Sequence, residues 1–144
     1  MIAEFTKSSI SDITLVMTKF ITIAGLYGFV GVLLGAFGAH GLEERLEANG
    51  HMEVWRTATL YLFVHALALF TLASGKEVSK LMSWIGWLWT CGILLFSGSL
   101  YLLALTSVSK LGIITPLGGA CFLLGWILLI WVSIRNGKTS VENS

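Results

Sequence analysis

Long uncharged runs, separated by short charged pieces, set the pattern of this chain. Asp, Glu, Lys and Arg are missing from residues 20–39, 57–75, 81–109 and 111–134. The hydrocarbon core of a bilayer is ~30 Å thick, and a helix needs roughly 20 apolar residues to cross it. Each run meets that length. The pattern predicts an all-α integral membrane four-helix bundle with a short interfacial helix in the first loop. It forms a single membrane domain over 1–144, with spans at about 20–39, 57–75, 81–106 and 116–134. Residues 1–18 mix polar and apolar types without a sustained stripe, and read as a loose tail or a short interfacial helix.

Each span has a finer pattern. In the first, Gly28, Gly31, Gly35 and Gly38 recur at alternating spacings of three and four, which forms one narrow strip without side chains. Helices in lipid gain little by burying apolar groups against each other, so close backbone approach through small residues is a main route to association. The strip reads as a packing seam, within the bundle or between copies. In the second span Thr57, Tyr61 and His65 stand four residues apart on one face. In the third, Thr90, Ser97 and Tyr101 lie within about 40 degrees of one another at 3.6 residues per turn. Polar faces turn away from lipid, which offers no hydrogen-bond partner, so the two stripes are expected to meet inside. The fourth span is expected to start at Thr115-Pro116, with Thr as N-cap and Pro at the first helical position, and to end near Arg135. Gly118 and Gly125 flank Phe122 on one of its faces as a further helix-packing strip.

The one substantial polar segment is the first loop. Leu42 to Glu47 reads as a short amphipathic helix on the outer surface, with Leu42 and Leu46 on one side and Asn49-Gly50 as its stop. Trp55 falls where an interfacial aromatic anchor is expected. Glu43, Glu44, Glu47 and Glu53 read as a solvated face.

Composition agrees with this picture: 56% of residues are hydrophobic and 12% charged, against ~25% charged in soluble domains. The net charge of +1 comes without a basic patch, so nucleic acid is not an expected partner. Cys91 and Cys121 fall inside spans and read as small buried residues, not a disulfide. Lys7 and Lys19 precede an apolar run that ends in small residues, the outline of a cleaved signal. The leading segment and the run are both long for one. With four spans, Lys7, Lys19, Lys76, Lys80, Arg135 and Lys138 share one side, and Arg45, Arg56 and Lys110 the other. Six against three favours both termini in the cytoplasm.

His65 is the most suggestive single residue, ~13 Å below the surface by helical rise. An ionisable group at that depth is a functional-site candidate, and a charged ring there is costly. A neutral imidazole bonded to Tyr101 or Ser97 is therefore expected, which makes Tyr61, His65, Ser97 and Tyr101 the candidate buried polar cluster. A shared haem is disfavoured, because His40 and His65 differ in depth by ~12 Å and axial ligands must flank one iron. Zinc wants four ligands, and His40 with Glu43 supplies half a set at most. No phosphate-cradling loop, zincin pair or nucleophile elbow occurs. No cofactor, metal or catalytic residue is expected, and the chain is not expected to be an enzyme.

GAFGAHGL at 35–42, which contains His40, is followed by YLFVHALAL at 61–69, LFSGSLYLLAL at 95–105 and TPLGGACFLLGW at 115–126. In these blocks the chain resembles a family of small bacterial and mitochondrial membrane proteins catalogued as a domain of unknown function. The resemblance implies a four-helix, multi-pass protein of the bacterial inner (plasma) membrane and brings no activity with it. The longer N-terminal tail is a departure from the family. The expected role is a structural or accessory membrane component, partnered by lipid, by its own copies or by a larger membrane complex. A small transporter or channel with a polar path is the alternative.

Overall fold

The computed structural model describes the backbone of residues 2–75 and 79–142 and the side chains of 15–75 and 79–135. Five helices follow in order: α1 Ile2–Ala39, α2 Glu43–Ala48, α3 Met52–Ser74, α4 Lys80–Thr106 and α5 Thr115–Glu142. A 3-10 turn at Ser109–Ile113 joins the last two, and no strand occurs among the described residues. Four segments are long and apolar enough to cross a membrane: Leu15–Ala39, Met52–Ser74, Lys80–Thr106 and Ser109–Arg135. Lys76, part of the charge balance, lies outside the described residues, and the side chains of Lys7 and Lys138 lie outside the described ones.

The helices outrun the charge-free stretches. The segment expected as a loose tail or a short interfacial helix is, from Ile2 onward, the start of α1, and α5 continues past Arg135 to Glu142. The reason is physical: a charged side chain ends a membrane crossing, but only Gly, Pro or a cap ends a helix. Residues 2–20 contain neither Gly nor Pro. α5 begins at Thr115, and the Ile114 carbonyl accepts from the N–H groups of Leu117 and Gly118. Thr115 is thus one position inside the expected cap, and its hydroxyl pairs with that of Ser99 at 2.8 Å.

α3 and α4 form a central pair, with α1 packed on α3 and α5 packed on α4; α1 also touches α4. Glycines set these approaches. A Cβ built at Gly31 would lie 2.7 Å from Leu62 Cδ2, and one at Gly38 would overlap the Trp55 indole. At Gly35 it would meet Thr59 Cγ2 at an ordinary 3.7 Å, and at Gly28 it would meet nothing within 4 Å. So Gly31 and Gly38 seat α3, Gly35 touches it loosely, and Gly28 is open. On the other flank, Gly118 rests on the backbone of Phe96, Gly125 on the Trp89 indole, and Gly92 of α4 receives the Phe122 ring. Gly86, likewise unmarked by any repeat, receives Phe20.

Trp55 is a core residue rather than an interfacial anchor. It is 2% exposed, and its indole N–H donates to the Leu34 carbonyl at 2.9 Å. Burial on Gly38 outweighs the aromatic preference for headgroups. α2 is not merely a surface helix either: Leu46 is wholly buried, and Arg45 Nη2 donates to the Leu105 carbonyl at 2.7 Å, at the end of α4. Gly50, with φ 68°, supplies the left-handed turn after α2. Both cysteines are free. Cys91, expected buried, is exposed on α4, and Cys121 is partly buried.

Candidate functional site

His65 lies on the buried face of α3 with Ala58, Leu62 and Leu69 and is 3% exposed. Its Nδ1 is 2.9 Å from the Tyr61 carbonyl one turn back, and its Nε2 is 3.1 Å from the Trp126 indole nitrogen on α5. These partners assign the tautomer. A carbonyl only accepts and an indole N–H only donates, so the proton sits on Nδ1 and the Nε2 lone pair accepts from Trp126. The ring is neutral, as its depth requires, and both nitrogens are engaged. Phe122 stacks flat on it with centroids 3.5 Å apart and 11° between planes, and Trp89 meets it edge-on at 6.4 Å.

The hydroxyls expected beside His65 are elsewhere. Tyr101 donates to Thr59 Oγ1 at 2.8 Å and packs edge-on against Trp55 at 4.6 Å. Ser97 is fully buried, and its Oγ has no partner among the described residues; the Trp89 indole N–H shares that condition. Tyr61 contributes its carbonyl, while its ring is 39% exposed and lies 4.5 Å from Phe96. The four residues therefore form no single cluster. Thr57 bonds back to the Glu53 carbonyl at 2.8 Å, and the Thr90 hydroxyl to that of Gly86 at 2.8 Å. The Thr90 carbonyl in turn accepts from Tyr27 of α1 at 3.0 Å. His40 is exposed, beside a shallow apolar cleft with Leu33, Ala36 and Phe37.

Sequence reasoning missed Phe122 and Trp126 as partners of His65. The signal was there: they are four apart on α5, as Tyr61 and His65 are on α3, so each pair occupies one helix face. Chemically the contacts make the ring a clamp between α3 and α5. The imidazole lone pair is taken, and the uncharged runs 20–39, 57–75, 81–109 and 111–134 hold no carboxylate or amine to move a proton to or from it. No group of three or more His, Cys, Asp or Glu is placed to hold a metal among the described residues.

Four apolar helices stitched by glycine contacts and a neutral interior histidine define a multi-pass α-helical membrane protein. The chain belongs to the DUF423 family, described as protein of unknown function, whose model matches residues 34–119. Its relatives carry the name UPF0382 membrane protein. That of Staphylococcus saprophyticus is 44% identical over 115 residues, covering 79% of this chain and 95% of the relative. That of Staphylococcus epidermidis is 42% identical over 120 residues, with 83% and 98% covered. YwdK of Bacillus subtilis is 42% identical over 122 residues, again with 83% and 98% covered. No solved structure matches the chain. The matched window includes His40, Tyr61, His65, Ser97 and Tyr101 and stops before Phe122 and Trp126.

Proposed function

We propose that this protein is a structural or accessory component of the bacterial plasma (inner) membrane, with both termini in the cytoplasm and no catalytic activity of its own. One observation carries the reading: His65, the single ionisable imidazole deep in the crossing segments, has both nitrogens committed to fixed partners on α3 and α5. A proton or ion relay needs a group that can release one partner and take another. A ring clamped between a carbonyl, an indole and a stacked phenyl serves as a lock between helices. The other polar groups pair separately, Tyr101 with Thr59 and Ser99 with Thr115, and form no continuous file. The excess of Lys and Arg on the side of the termini supports the orientation. Open glycines such as Gly28 and Gly98 leave room on the outer faces for a second copy or a larger membrane complex.

The test is flux across proteoliposomes. Wild-type protein is expected to pass protons and small solutes no faster than empty vesicles, and His65→Ala to lower thermal stability in detergent without changing flux. A leak that disappears in His65→Ala would establish the transporter reading instead. A pull-down in mild detergent, read for co-purifying subunits, tests the accessory role, and accessibility of a cysteine placed at either terminus tests the orientation.

A further inference from the structure

A groove opens where α1 ends and α3 begins. Its volume is about 340 Å³, and Gly35, Gly38, Glu43, Arg56, Leu60 and Phe63 are among its walls. That falls within the ~300–1,000 Å³ range of small-molecule sites. The groove exists because α1 has no side chain at Gly35, where α1 and α3 touch at ordinary distance and leave the space above them open. Its deeper wall is apolar, with Leu60 60% exposed along it. Arg56 stands one turn into α3, and Phe63 lies ~11 Å further along the helix axis. The groove therefore runs from headgroup level into the hydrocarbon.

The rim carries charge of both signs. Arg56 Nη1 donates to Glu53 at 2.7 Å, and the rest of its guanidinium fork has no acceptor among the described residues. Glu43 is presented by α2, which cannot swing away: Leu46 is buried beneath it and Arg45 is bonded to the end of α4. Two carboxylates against one guanidinium leave the rim with an excess negative charge.

We propose that this groove binds one phospholipid with a zwitterionic, amine-bearing headgroup of the phosphatidylethanolamine type. The lipid phosphate takes the free side of the Arg56 fork, a geometry guanidinium suits. The lipid ammonium donates to Glu43, and one acyl chain lies along Gly35, Leu60 and Phe63. An anionic headgroup such as phosphatidylglycerol satisfies Arg56 but meets the two carboxylates. The choline of phosphatidylcholine has no N–H to give Glu43.

Native mass spectrometry of the purified full chain, with each of the three lipids titrated into detergent, tests this. One phosphatidylethanolamine should be retained in preference to either of the others. Arg56→Gln should weaken its retention about tenfold, the effect of losing one charge-assisted hydrogen bond. Glu43→Gln should erase the preference over phosphatidylcholine. Gly35→Leu and Leu60→Trp fill the groove from opposite walls and should each abolish the retained lipid. The second substitution falls at an exposed position and leaves the fold intact should the first disturb it. Equal retention of all three lipids, or phosphatidylethanolamine binding that Leu60→Trp leaves unchanged, would overturn the proposal.

Discussion

The two halves of this molecule solve one problem twice, with different quality. In the first hairpin α1 docks on α3, and the Trp55 indole lies over Gly38; in the second α5 docks on α4, and the Trp89 indole lies over Gly125. The first indole donates its N–H to Leu34, whereas the second has no partner among the described residues. The second hairpin is nonetheless the more closely fitted. Gly118 lies against the Phe96 backbone and Gly92 takes the Phe122 ring, while Gly35 and Gly28 of α1 leave slack. In lipid, where apolar burial gives helices little mutual attraction, interlocking shape can hold a pair that leaves a polar atom unsatisfied. Hydrogen bonding can hold one that packs more loosely.

Substitutions can break this contrast in order of size. Gly118→Ala should be the most damaging, costing about 3 kcal/mol of unfolding free energy, since its Cβ would meet main chain that cannot step aside. Unfolding in mixed detergent and SDS micelles measures it, and a neutral outcome would mean that the second hairpin is not closely fitted. His65→Ala removes the clamp between α3 and α5, orphans the Trp126 N–H and leaves a hole under Phe122. A loss of about 2–3 kcal/mol is expected, by the same assay. Gly31→Ala should cost about 1–2 kcal/mol, because the atoms it meets are the ends of the Leu62 and Phe63 side chains, which can yield. Gly28→Ala at an open position should stay within about 0.5 kcal/mol. The finest comparison pairs Trp55→Phe with Trp89→Phe. Both lose similar ring area, but only the first loses a hydrogen bond, so it should be worse by about 1 kcal/mol. Equal losses would show that the Leu34 contact contributes nothing.

Much of the architecture is legible in the residue order, because lipid makes charge the dominant signal: four uncharged runs become four crossings. Helix ends are less legible, as α1 and α5 show by running on through charged residues. The glycine repeats of α1 marked a seam, yet only three-dimensional packing separates Gly31 and Gly38, which are covered, from Gly28, which is not. Gly86 and Gly92, isolated in sequence, gave no warning that they receive Phe20 and Phe122. The depth of His65 was readable from its position in the run. Its partner Trp126 was legible only as sharing a face of α5 with Phe122, because an indole counts as apolar in any hydropathy pattern and shows its one donor only when α5 is laid against α3.

The bond from Arg45 to the carbonyl of Leu105 spans 60 residues of chain. Synthesis runs from the N-terminus, so the short helix and its guanidinium emerge long before the end of α4 exists to receive them. The first loop therefore waits through the insertion of two more segments. Its final posture becomes a report that the third crossing has arrived at its proper depth.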